Sequence, residues 1–129
     1  MAKILLVEPD KILADTYSQA LTADGHEVTV SAGAQTAVQA ADSIQPDIAI
    51  VELQLVEHSG IEFLYEFRSY SDWKNIPVII HSQVPLNEFQ DNFQIFQAEL
   101  NIAAYLYKPQ TSLTQLLAAV NEALLPVRK

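Results

Sequence analysis

The chain is predicted to fold as one α/β domain over residues 1–129, an open parallel sheet of five strands in the order 2-1-3-4-5 with helices on both faces. Three observations predict it. Strand-like apolar runs alternate with amphipathic stretches, as they do in βα units. The runs Lys3-Ile4-Leu5-Leu6-Val7, Asp47-Ile48-Ala49-Ile50-Val51 and Val78-Ile79-Ile80 read as short buried strands. Each run then ends in polar side chains: Glu8, Glu52, and His81-Ser82, with Lys108-Pro109 closing a further run, Ile102 to Tyr107.

After the first strand, Asp10 is placed to cap a helix from about Lys11 to Ala23, with Ile12, Leu13, Tyr17, Ala20 and Leu21 at helical spacing and Asp24-Gly25 as the stop. Glu27 to Val30 alternates as a half-buried strand does. Thr36 to Ile44 is a short Ala-rich helix ended by Pro46. The third strand leads through a loop, Leu53 to Gly60, into a helix from Ile61 to Tyr70 with Ile61, Leu64, Tyr65 and Arg68 at helix period. Asn75-Ile76-Pro77 precedes the fourth strand. Glu88 to Leu100 reads as a helix whose Phe89, Phe93 and Phe96 share one stripe, and Asn101 suits a left-handed exit. Ser112 caps the last helix, whose buried face is Leu113, Leu116, Leu117, Val120 and Leu124, with Pro126 beyond it.

Composition narrows the function classes. Acids outnumber basic residues 16 to 7, for a net charge of −9. The basic residues are scattered apart from Arg128-Lys129, so direct nucleic-acid binding is not expected. The chain has no cysteine, which removes disulfides and thiolate metal sites and fits a reducing compartment. No apolar stretch approaches the ~20 residues needed to span a bilayer, and Met1-Ala2-Lys3 runs at once into a strand, so a cytoplasmic protein without signal peptide or membrane contact is expected. His26, His58 and His81 lie on separate elements without ligand-like spacing, and no metal site is expected from them.

In a parallel sheet the carboxyl ends of the strands lie side by side, so Glu8, Glu52, Ser82 and Lys108 are expected to converge in one pocket. This set, along essentially the whole chain, resembles the receiver domain of response regulators, which is flavodoxin-like in strand order. In that family an acidic pair follows the first strand; here the stretch is Leu6-Val7-Glu8-Pro9-Asp10. The acceptor follows the third strand and a glycine lies eight positions later, matching Glu52 and Gly60. A Thr or Ser after the fourth strand corresponds to Ser82. The lysine-proline after the fifth strand, usually joined by a cis bond, corresponds to Lys108-Pro109, and the aromatic switch position three residues earlier to Tyr105. The resemblance implies a surface on the fourth helix, fifth strand and fifth helix for protein partners or a homodimer; Phe89, Phe93 and Phe96 add apolar area there.

The departures fall at the chemistry. The family's acceptor is Asp, whereas Glu52 carries its carboxylate one methylene farther, ~1.5 Å. The acid that helps hold Mg²⁺ in the family is matched by Pro9, which has no side-chain oxygen. Mg²⁺, if held by Glu8 and Glu52, would be held weakly, and no other cofactor is implied. Val56 stands where receivers often have proline. Asp10 completes the acidic pocket on paper, with helix capping as its competing role. Three readings of Glu52 stay open: a structural partner of Lys108, a fixed charge resembling the phosphorylated state, and an ordinary phosphoacceptor. Ser82 and Tyr105 have ordinary readings too, as a hydroxyl bonded to backbone and a packed aromatic.

The expected function is therefore a non-enzymatic, pseudo-receiver signalling module of a two-component or phosphorelay system. It would act by contact with a histidine kinase, another regulator or an output protein. The alternatives are a conventional phosphate-accepting regulator and, more remotely, a flavodoxin-like enzyme or nucleotide binder. The last lacks a GxGxxG or GxxxxGK[ST] motif and has only three glycines to work with.

Overall fold

The computed structural model describes residues 2–55, 59–85 and 93–125, with only the backbone described at 93–96. The strands are β1 (Lys3–Val7), β2 (Glu27–Ser31), β3 (Ile48–Val51), β4 (Val78–Ser82) and β5 (Ile102–Tyr107). All pairs are parallel, in the order β2-β1-β3-β4-β5. The helices are α1 (Lys11–Ala23), α2 (Ala34–Ile44), α3 (Gly60–Ser69), α4 (Phe93–Leu100) and α5 (Leu113–Ala123).

The apolar strands are explained by two cores, one on each face. Leu5, Val7, Ala49, Val51, Val78 and Ile80 pack under Ala37 and Ala41 of α2 and Phe63, Leu64 and Phe67 of α3. Ile4, Leu6, Ile48, Ile50 and Ile79 pack under Tyr17 and Leu21 of α1 and Leu116 and Val120 of α5. Strand residues alternate between faces, so a strand covered on both sides must be apolar at every position.

Local chemistry sets the ends of the helices. Asp10 accepts the Leu13 N–H at 3.0 Å and caps α1. Ser59 with Glu62, and Ser112 with Gln115, form capping boxes at α3 and α5. Gln45, ahead of Pro46, and Asn101 adopt left-handed backbone, at φ 54° and 51°.

Some expectations need correction. α2 starts at Ala34, two residues before Thr36, because Gly33 supplies the cap and the Thr36 hydroxyl bonds the Gly33 carbonyl at 3.1 Å. Ile12 is 78 % exposed and Leu113 41 % exposed, so neither belongs to a buried face. The buried positions of α1 are Ala14, Tyr17 and Leu21, which puts Ile12 on the opposite side of the helix. α3 spans Gly60–Ser69, not Ile61 to Tyr70, and its buried stripe runs through Phe63, Leu64 and Phe67, leaving Tyr65 outside. No described peptide bond is cis; Lys108–Gln110 instead forms a 3₁₀ turn that accommodates Pro109 in its first turn. Val56, His58 and Phe89, with the first residues of the expected fourth helix, lie outside the described residues, and of Phe93 and Phe96 only the backbone is described.

Candidate functional site

Glu8 follows β1, Glu52 follows β3, Ser82 ends β4 and Lys108 follows β5. The parallel register continues past the strands, since the Glu8 N–H donates to the Ser31 carbonyl at 2.9 Å and the Glu52 N–H to the Val7 carbonyl at 3.0 Å. The four side chains therefore meet at one end of the sheet, all of them buried: Glu8 and Glu52 are each 3 % exposed.

The Lys108 Nζ lies 2.6 Å from Glu8 Oε1 and 2.6 Å from Glu52 Oε1. Glu52 Oε1 also accepts the Gln83 N–H at 3.2 Å. Its Oε2 accepts the Ser82 hydroxyl and, at 3.0 Å, the Gln54 N–H. Glu8 Oε2 accepts the Asp10 N–H at 3.1 Å. The Ser82 oxygen in turn accepts the Val84 N–H at 3.0 Å, and the Tyr105 hydroxyl donates to the Val84 carbonyl at 2.6 Å. Tyr105 is thus joined to Glu52 through one short backbone segment and Ser82.

These contacts set the electrostatics. Burial raises the pKa of Glu8 and outweighs its bonds from Lys108 and Asp10. Burial works the same way on Glu52, but the hydrogen bonds from Lys108, Ser82 and Gln54 outweigh it and hold Glu52 below the usual carboxylate range. Burial pulls Lys108 down, yet its two carboxylates outweigh that and raise it. Lys108 is therefore an ammonium and Glu52 a carboxylate at neutral pH. The ammonium is shared between the two acids.

Asp10 stands apart. It is exposed at the rim, and its carboxylate is engaged at the α1 cap. Asp47 is at the far end of the sheet, where it accepts the Lys3 N–H at 2.8 Å. His26 is also at that end, between the Ala2 N–H and Asn121.

Sequence reading missed the backbone amides of Gln54 and Gln83, which are set by loop geometry and not by residue type. It also missed a pair lying behind the cluster. His81, 3 % exposed, meets Tyr17 edge to face at 4.8 Å between ring centres. Burial, helped by the nearby Lys108 charge, pushes the His81 pKa down to about 4. Strand alternation carried that signal: Ile79, two residues earlier, packs under α1 and α5, so His81 points to the same side.

Gly60 has a steric reason to be glycine. A Cβ there would lie 2.6 Å from the Glu52 carbonyl oxygen and 2.7 Å from the Leu53 Cα. Its N–H donates to the Leu53 carbonyl at 2.8 Å, so the start of α3 is pressed onto the segment that carries Glu52.

A model of the response regulator receiver domain matches residues 4–121. The chain belongs to the response regulator receiver family. It is 33 % identical over 112 residues to the transcriptional regulatory protein KdpE of Staphylococcus aureus, covering 84 % of this chain and 44 % of that one. To the KDP operon transcriptional regulatory protein KdpE of Escherichia coli it is 28 % identical over 109 residues, covering 84 % and 45 %. The chain thus spans less than half the length of these relatives. In fold it is similar to the chemotaxis protein CheY4 of Vibrio cholerae, at a TM-score of 0.85 with 23 % identity over 96 % of this chain and 99 % of that one. The non-phosphorylated HemR receiver domain of Leptospira biflexa gives 0.82 with 22 % identity, over 100 % and 98 %. Receiver domains are signalling modules, and the strand-end position of the acids in this one agrees with the family's fold. No described helix is long and apolar enough to cross a membrane.

The family resemblance brings Mg²⁺ with it, and the residues here do not fit that ion. Mg²⁺ requires near-octahedral oxygen donors at about 2.0–2.1 Å. Pro9 offers no side-chain oxygen, Asp10 is committed to its cap, and the facing oxygens of Glu8 and Glu52 both hold the Lys108 ammonium.

Proposed function

We propose that this receiver is a signalling module of a two-component or phosphorelay system that acts by protein–protein contact, with Glu52 a fixed negative charge at the position where conventional members accept a phosphoryl group. The observation that carries this reading is the saturation of the Glu52 carboxylate. Both oxygens are occupied, by Lys108, Ser82 and two backbone amides. Phosphoryl transfer depends almost entirely on positioning and charge neutralisation, and errors near 1 Å cost on the order of 100-fold in rate. A carboxylate displaced by ~1.5 Å and lacking a metal partner fails on both counts.

The bonds from Ser82 to Glu52 and from Tyr105 to Val84 support a second part of the proposal. The pocket is already coupled to β5 without phosphate, and the protein presents one state of its partner surface on α4, β5 and α5. The proposed partners are a histidine kinase, another regulator or an output protein. A transcriptional output is carried over only from the names of the relatives.

The test is an intact mass after incubation with acetyl phosphate and Mg²⁺. No phosphoryl adduct should form. An adduct that disappears in Glu52→Gln would establish a conventional acceptor instead. Glu52→Asp alone should restore little labelling, whereas Pro9→Asp with Glu52→Asp should restore more, because only the pair shortens the acceptor and supplies a metal oxygen.

A further inference from the structure

We infer that the Lys108 ammonium is the resident cation of the strand-end site and that its seat between Glu8 and Glu52 keeps divalent metal ions out. The inference deepens the proposed function and rests on it only for placing the site; metal binding is measured without phosphate, so each can fail alone.

A single ammonium lies 2.6 Å from one oxygen of each acid, with its side chain only 6 % exposed. A divalent ion bridging Glu8 and Glu52 would have to stand in the same place. The other oxygens of the two acids are engaged as well. Glu52 Oε2 already accepts Ser82 and Gln54, and Glu8 Oε2 accepts the Asp10 N–H.

Charge balance points the same way. With Lys108 present each acid faces the ammonium, and buried charges persist where they are paired and hydrogen-bonded. Without Lys108 the same two acids would face a buried gap with no cation between them. A divalent cation is a partner that neutralises such a pair. The lysine is thus both counter-ion and gate. Its removal should turn a metal-indifferent receiver into a metal-dependent one.

The experiment titrates Mn²⁺ into the protein and follows free Mn²⁺ by electron paramagnetic resonance, with thermal melts in Mg²⁺ and in chelator alongside. The parent should show no specific site at submillimolar Mn²⁺ and the same melting temperature in Mg²⁺ and in chelator. Lys108→Ala should bind one Mn²⁺ at least tenfold more tightly than the parent and should melt higher in Mg²⁺. Adding Glu8→Gln should abolish the gain. Should Lys108→Ala not fold, Lys108→Gln takes its place, retaining a polar side chain without the charge. One tight Mn²⁺ per parent molecule would overturn the inference, and so would a Lys108 variant that binds no more tightly than the parent.

Discussion

At the scale of single residues, Lys108 and Glu52 depend on each other. Removing one member of a buried ion pair leaves an uncompensated charge, which is far more costly than the pair itself is favourable. Lys108→Ala, measured in chelator, should therefore lose about 3 kcal/mol in urea melts at neutral pH. Adding Glu52→Gln should recover part of the loss, since the two side chains are in contact and their effects do not add. An unchanged midpoint would mean that water screens the cluster. His81 gives a second prediction. It titrates near 6.5 when unfolded and at about 4 in the fold. Between those values the folded state binds fewer protons, so stability falls as pH drops through the window, by about 3 kcal/mol for His81 alone. Glu8, raised by burial, acts in the opposite sense and gains stability as pH falls. Glu52, held low, loses its contribution only below the ordinary carboxylate range. His81→Leu should consequently flatten the parent's decline between neutral pH and a pH of about 4, as read by urea melts across that range. Parallel curves for the two proteins would contradict the assignment.

At the scale of elements, the contacts that position the site were unequally legible. Caps were readable because they depend on residue type: Asp10 and Ser112 lie where their oxygens meet the first free N–H groups of a helix. Gly60 was readable as a spacing but not as a cause, since its reason is a backbone approach that no side chain records. Gly60→Ala should cost about 1–3 kcal/mol, because the new methyl meets main-chain atoms that cannot step aside. A melting temperature equal to the parent's would show that α3 slides freely over Leu53. Arg68 was not readable beyond its helical spacing. Its guanidinium donates to the carbonyls of Trp73, Lys74, Leu100 and Asn101 at 2.6–3.2 Å, tying α3 to the turn before β4 and to the end of α4. A flexible ammonium cannot reproduce this fork. Arg68→Lys should lose about 2 kcal/mol and speed amide exchange at the end of α4, and unchanged exchange there would contradict the clamp.

At the scale of the whole molecule, the strand order and the meeting of Glu8, Glu52, Ser82 and Lys108 were legible for one reason. Buried parallel strands are written as continuous apolar runs, and the first polar residue after each run marks its carboxyl end. What stayed hidden was saturation. A sequence names the acid at position 52 but not the Gln54 and Gln83 amides that complete its hydrogen bonding. That saturation supports a pocket with one state, and the amides themselves report on it. The direct measurement is the backbone amide spectrum of the protein titrated with beryllofluoride, a phosphoryl mimic, in the presence of Mg²⁺. The amides of Gln54, Gln83, Val84 and Tyr105 should keep their positions throughout. Saturable shifts at those four amides, absent from Glu52→Gln, would contradict this and show that the pocket still opens to phosphate.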